Sequence, residues 1–164
     1  MKELLLQYAE YNVWANKRLI DLLLKQEEGL CDNEVASSFT TIRATIMHNW
    51  SAEVIWLQRL ELAEHPQWME SIFTGTLTEA FHQWQNTSAE LVRFVVKQYD
   101  DRSFTHEVIF PDRRGDISKM QVGQILHHVF NHATYHRGQI VTMLRTLGVK
   151  DIPSTDFFAF ARKK

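Results

Sequence analysis

A chain of 164 residues, 45% hydrophobic and 23% charged, has the length for one well-filled core and the balance of an ordinary globular protein. Its formal net charge of -2 offers no basic surface to a nucleic-acid backbone or an anionic membrane, and no apolar run reaches the ~20 residues of a membrane span. Cys31 is the only cysteine, so an internal disulfide is excluded and a reducing compartment is the simplest reading. The opening residues turn acidic and amphipathic at once, with Glu3, Glu10 and Asp21, which reads as helix rather than signal peptide and makes a cytoplasmic location the expectation.

Three prolines and six glycines leave long stretches unbroken, which favours helices. Leu5, Tyr8, Tyr11, Asn12, Ala15, Leu19, Leu22 and Leu23 recur at three- and four-residue steps and predict a first helix over about residues 2–26, with Gly29 as its left-handed C-terminal residue. A second helix is expected after Ser37 or Ser38, either of which can cap it. Its stripe is Ile42, Thr45, His48, Ala52, Ile55, Trp56 and Leu60, and Pro66 bounds it. Thr76-Leu77-Thr78-Glu79 is a capping box that opens a third helix, running through Phe81, Trp84, Leu91 and Val95 to about Gln98.

The helical period breaks between Asp101 and Ile117. Thr105 to Phe110 is rich in β-branched and aromatic residues, and Pro111 with Arg114-Gly115-Asp116 supplies turn chemistry, so a loop or short hairpin is expected. Ser118-Lys119-Met120-Gln121 reads as another capping box, opening the longest helix over about residues 119–147, with Gly148 beyond it. Phe157, Phe158 and Phe160 predict that the last segment packs back on the bundle or against a second subunit. The sum is an all-α four-helix bundle, one domain over residues 1–164, with connections longer than the ~2–8 residues of simple up-down bundles.

The histidines are unevenly placed. Of eight, His127, His128, His132 and His136 fall within ten residues on the last long helix. Side chains at i and i+4 lie on one face about 6 Å apart at Cβ, so His132 and His136 can converge on one ion, as can His128 and His132. Each four-residue step also rotates the side chain by roughly 40°, so His128 and His136 diverge by roughly 80° and a third ligand should come from another helix. His48 interrupts the apolar stripe of the second helix and is the natural candidate. Imidazole donors suit zinc, nickel, copper or iron(II), and three protein ligands leave a position for water or substrate. The plain alternative is a bundle whose histidines are hydrogen-bonded core residues; His65, His82 and His106 read as surface.

The stretch His128-Val129-Phe130-Asn131-His132-Ala133-Thr134-Tyr135-His136-Arg137-Gly138-Gln139 resembles the signature of the DinB family of damage-inducible, metal-binding four-helix bundles. Tyr11-Asn12-Val13-Trp14-Ala15-Asn16, the stretch His48 to Leu60, and Asp151 to Phe158 are similar to the family's first helix, second helix and closing segment, in order along the chain. The resemblance implies a left-handed up-down-down-up bundle, often dimeric, with zinc or nickel held by His48, His132 and His136 and with His128 as a near neighbour lining the pocket. It also implies a stress-response setting and, from the wider superfamily, transferases and isomerases that use low-molecular-weight thiols.

Two chemistries follow from a metal with an open position. It can lower the pKa of bound water to near ~7 for hydrolysis, or bind and deprotonate a thiol cofactor for attack on an electrophile. The thiol version is preferred, because the superfamily resemblance points there and no clear general base stands beside the ligands. Glu53 is turned roughly 140° from His48 on the same helix, and a structural partnership with a basic residue such as Arg137 is expected of it. Gln139, within roughly 20° of His132, either contacts a bound ligand or bonds another helix. Gly138 is expected to permit close helix approach. Asn12 and Asn16 can hydrogen-bond in the cavity, Trp14 can wall it or fill the core, and Cys31 reads as a bystander. A non-catalytic metal-binding bundle or dimeric interaction protein is the other functional class.

Overall fold

The computed structural model describes residues 1–112 and 114–162. Its long elements are helices α1 (Lys2–Leu23), α2 (Ile42–Leu60), α4 (Leu77–Lys97) and α5 (Val122–Thr146). A single-turn helix α3 (Met69–Ile72) follows α2, a hairpin of β1 (Glu107–Pro111) and β2 (Ile117–Gln121) precedes α5, and a short α6 (Phe157–Ala161) ends the described chain. No helix among the described residues is long and apolar enough to cross a membrane.

Helix α1 packs against α4 and α5, and α2 packs against the same two, so α1 faces α2 across a diagonal of the bundle. Lys2 Nζ donates to the carbonyls of Val96, at 2.9 Å, and Gln98, which sets the start of α1 beside the end of α4. One apolar cluster joins Leu5 of α1 to Leu60 of α2, Val95 of α4 and Val122 of α5; the other joins Leu19, Ile46, Phe81 and Met143. Helices α1 and α5 therefore run one way and α2 and α4 the other, an up-down-down-up bundle.

Local chemistry explains most of the ends. Thr76 and Glu79 form the expected capping box, with Glu79 N–H donating to Thr76 Oγ1 at 3.2 Å. The end of α5 is closed by Gly148, whose φ of +82° suits glycine. In the hairpin, Val108 pairs with Met120 and Phe110 with Ser118, and the alternation buries Val108 and Phe110 on the first apolar cluster. The C-terminal segment packs back on α1: Phe157 stacks on Tyr8 at 4.9 Å, and Phe160 lies 5.8 Å from Tyr11 and 5.6 Å from Trp14. Trp14 belongs to this aromatic patch and does not line the cavity beside His48 and His132.

Several ends differ from the sequence expectation. Helix α2 is capped by Thr41, whose Oγ1 accepts from Ala44 N–H at 3.1 Å, and not by Ser37 or Ser38. The bond from Val35 N–H to Thr40 O ties those serines into the preceding loop. Helix α1 stops at Leu23, and Gly29, at φ +86°, instead starts a single 3-10 turn over Leu30–Asp32. Ser118 to Gln121 lie in β2, held by pairing with β1, and the box that opens α5 is Gln121 with Gln124. A Cβ on Gly138 would meet nothing within 4 Å, so this glycine does not serve a close helix approach.

Between the two apolar clusters lies a polar layer to which all four long helices contribute. Glu53 of α2, 1% exposed, accepts from Asn12 and Asn16 of α1 at 2.9 Å each, from Trp84 Nε1 of α4 at 3.0 Å and from Ser88 Oγ of α4 at 2.7 Å. Arg137 of α5, also 1% exposed, donates from Nη1 to Asn12 Oδ1 at 2.5 Å and to Asn16 Oδ1 at 2.9 Å, and from Nη2 to Thr134 Oγ1 at 2.8 Å. Carboxylate and guanidinium are thus joined through the two asparagines and not by the direct salt bridge expected from sequence. Truncating one member of a buried charged pair leaves the other uncompensated. We expect Glu53→Ala to lower unfolding stability in urea by about 3–5 kcal/mol; a loss below about 1 kcal/mol would show that the layer is not closed as described.

Candidate metal centre

The three candidate histidines meet at the seam between α2 and α5, which run antiparallel as neighbours. His48 is not at the bundle centre. That place on α2 is taken by Ile42, Ile46, Asn49 and Glu53, each at most 1% exposed, and the helical rotation carries His48 round to the seam. His48 Nε2 lies 3.2 Å from His132 Nε2, and His132 Nε2 lies 3.1 Å from His136 Nε2. All three candidate ligand atoms fall within 4.8 Å of one another. An ion about 2.0–2.1 Å from each of two nitrogens at tetrahedral angles would hold them about 3.3–3.4 Å apart. The His48–His132 and His132–His136 pairs are close to that spacing.

The opposite edges of the rings decide which nitrogen carries the proton. His136 Nδ1 is 2.7 Å from Gln139 Oε1, and Gln139 Nε2 donates to Ser38 Oγ at 2.9 Å and Tyr135 Oη at 3.1 Å. With the amide nitrogen so engaged, the oxygen faces His136, and Nδ1–H is the donor. His48 Nδ1 lies 3.2 Å from the Glu70 carboxylate, which likewise requires a proton on Nδ1. Both Nε2 atoms then present lone pairs to the point they share with His132. Carboxylate and amide partners of this kind hold histidine ligands in orientation. His132 Nε2 faces both lone pairs, and a proton on it or a cation among the three nitrogens satisfies them; the donor set fits a divalent transition metal.

Two different surfaces flank the cluster. Phe39, from the loop before α2, lies 4.6 Å from the ring of His48 and 5.8 Å from that of His136. On the other side a cavity of about 580 Å3 is lined by His48, His132, His128, Trp56, Trp68 and Phe110 among others. His128 lines this cavity with its ring edge-on to Trp56 at 5.2 Å and 5.7 Å from His132, so it stands beside the cluster and not within it. Gln139 is on the far side, behind His136. His65, His82 and His106 are exposed, as expected. Cys31 is buried, and burial, with the Asp32 charge adding, pushes its thiol up to about 11, which keeps it protonated and inert near neutrality.

Sequence reasoning missed Phe39, Ser38, Glu70, Trp68 and Tyr135. Glu70 and Trp68 lie beyond Pro66 in a stretch with no helical period to read, and α3 is too short to show one. The adjacent pair Trp68-Met69, apolar within a polar linker, was the available signal.

Burial holds His136 below its ordinary pKa of 6.5, with His48 adding to the effect and the Gln139 hydrogen bond opposing it; burial alone lowers His128. A histidine depressed in the folded state is more readily protonated when unfolded, so the stability it contributes is present above 6.5 and falls as pH drops through and below that value. The metal-free protein should therefore lose urea stability between about pH 7 and pH 5, with the His136 ring titrating below the unfolded value by NMR. A midpoint that stays flat over that range would contradict the assignment.

A match to the DinB family covers residues 1–163. Protein DinB of Bacillus subtilis (strain 168) is 26% identical to this chain over 161 residues, spanning 96% of the chain and 93% of that relative. The helical bundle and a histidine cluster spread over its second and last long helices agree with a match of that extent: the chain belongs to the DinB family.

Proposed function

We propose that His48, His132 and His136 bind one divalent transition metal, zinc or nickel, through their Nε2 atoms, and that the cavity beside them is the reaction site of a thiol-dependent transferase. The observation that carries this reading is the convergence of the Nε2 atoms at 3.1 and 3.2 Å, with the Nδ1 atoms of His48 and His136 engaged on the outer side. When bound, such a metal supplies Lewis acidity that turns a thiol into a thiolate nucleophile, or water into hydroxide. His48 and His132 line the cavity while His136 does not, so the open side of the cluster faces that space. Its aromatic walls, Trp56, Trp68 and Phe110, exclude water and favour an apolar electrophile.

Hydrolysis fits less well. Among the described lining residues the one carboxylate is Asp112, and its Oδ1 accepts from the backbone N–H of Arg114 at 2.7 Å and of Asp116 at 3.0 Å. It serves the hairpin turn and is not placed as a general base. A cytoplasmic stress-response setting and a homodimer, both implied by the family resemblance, belong to the same proposal; sedimentation of the metal-loaded protein decides the second.

Elemental mass spectrometry of protein purified without an affinity histidine tag tests the site. About one zinc or nickel per chain is expected in the wild type, lost in His48→Ala, His132→Ala and His136→Ala and kept in His128→Ala. Glu70→Ala should retain the site but weaken metal affinity by roughly 10–100-fold, because Glu70 orients His48 from behind. A wild type that takes up no metal even on reconstitution would leave a bundle with three hydrogen-bonded histidines, and a metal-loaded protein that turns over no thiol–electrophile pair would leave the non-catalytic metal-binding bundle.

A further inference from the structure

Three aromatic side chains wall the cavity, and its charged groups are engaged by the protein itself. Trp56, Trp68 and Phe110 line it, with the Trp56 and Phe110 rings edge-to-face at 5.1 Å. Lys119 Nζ pairs with Glu107 at 3.1 Å, and Asp112 is held by the hairpin turn. Arg59 Cζ lies 4.6 Å from the Trp56 ring, and its Nη2 donates to Pro111 O at 3.0 Å. A charged ligand would have to break into one of these arrangements. A neutral one need not.

His128 differs from these groups. It lines the same cavity, its ring edge-on to Trp56 at 5.2 Å and 5.7 Å from His132, and among the described residues no hydrogen bond engages either of its nitrogens. A neutral imidazole carries one N–H and one lone pair. A polar ligand atom held there stands beside His132, a member of the cluster that also lines the cavity. On the α2 side, His48 and Trp56 are about 12 Å apart along the helix axis. Between them Ala52 contributes only a methyl group to the lining, which leaves space for a ring. Aromatic rings in offset or edge contact with such walls gain beyond the area they bury.

Building on the thiol-transferase reading above, we propose that the electrophile is a neutral aromatic carbonyl compound, its ring over Ala52 against Trp56 and Phe110 and its oxygen accepting the N–H of His128. Charge gathers on a carbonyl oxygen under attack, so a donor aimed at that atom is the useful half of the imidazole. His128 is on this account the residue that selects for the carbonyl, and it does so without holding the metal.

NMR titration of the zinc-loaded protein, followed at the Trp56 indole N–H, tests the assignment with acetophenone, ethylbenzene and cyclohexyl methyl ketone. Acetophenone is expected to bind about threefold or more tightly than the saturated ketone, which has the oxygen but no π-face. In His128→Phe the ratio of acetophenone to ethylbenzene affinity should fall about fivefold or more with the zinc content unchanged. Ser118→Ala, which removes the hydroxyl of the lining, should not move it. Equal binding of the two ketones overturns the proposal, and so does a ratio that His128→Phe leaves unchanged. A ratio that falls as far when zinc is stripped from the wild type also overturns it, because the oxygen would then sit on the metal. Should His128→Phe lose its cooperative melt, an intermolecular NOE between the acetophenone methyl group and the His128 ring in the wild type decides, and its absence overturns the proposal. A protein that takes up no zinc yet keeps the His128-dependent ratio refutes the metal reading and leaves this one standing.

Discussion

Everything in this bundle is registered to one buried carboxylate. Glu53 sits where four helices meet and accepts hydrogen bonds from α1 and α4, while Arg137 of α5 reaches it only through Asn12 and Asn16. Each asparagine spends its amide nitrogen on the carboxylate and its oxygen on the guanidinium, so a negative and a positive charge are bridged without touching, and of the guanidinium nitrogens Nε is left without a hydrogen-bond partner. In an interior of low dielectric, such a layer is stable only when nearly every donor and acceptor is matched. An apolar core tolerates a small rotation of a helix; this layer does not, because a rotation would strand a charge.

That restriction is what places the histidines. Arg137 follows His136 directly, and with Arg137 turned to the centre, His136 is turned by one residue's rotation to the α2 side of α5. On α2 the same reasoning with Glu53 inward brings His48 to the facing edge. The three imidazoles therefore meet at the seam, between the polar layer and the solvent, where an ion can be reached from a cavity while its ligands stay fixed. Gln139, Glu70 and Phe39 then fix the rings from outside. The layer stabilises the fold, and the seam holds the histidine cluster.

The long helices were legible because their apolar periodicity was strong, and the Thr76–Glu79 box because both of its bonds are local. The histidine cluster was legible for a similar reason, since two of its members share one helix at i and i+4. What failed depended on partners distant in sequence. Ser118 to Gln121 satisfy a capping pattern, yet pairing with Val108 and Phe110 draws them into a strand. Asn12 falls on the inner stripe of the first helix in the sequence, whereas Glu53 looks like a position turned from the interior until the other helices supply its hydrogen bonds, which is why the sequence points to His48 rather than Glu53 as the inward residue. The purpose of Gly138 is not explained by any contact it makes.

The diagonal placement of α1 and α2 has a consequence for how the chain reaches this state. In an ordinary up-down bundle each helix can dock on the one just made. Here, of the four helix–helix seams, only that between α2 and α4 joins successive long helices; α1 must find α4 and α5, and α2 must find α5, across long stretches of chain. Contacts so distant in sequence require loops to close before packing can offset the lost entropy, which raises contact order above that of simple helical bundles and slows the search. The cluster joining position 48 to positions 132 and 136 belongs to one of these distant seams, so forming it closes a loop of 84 residues.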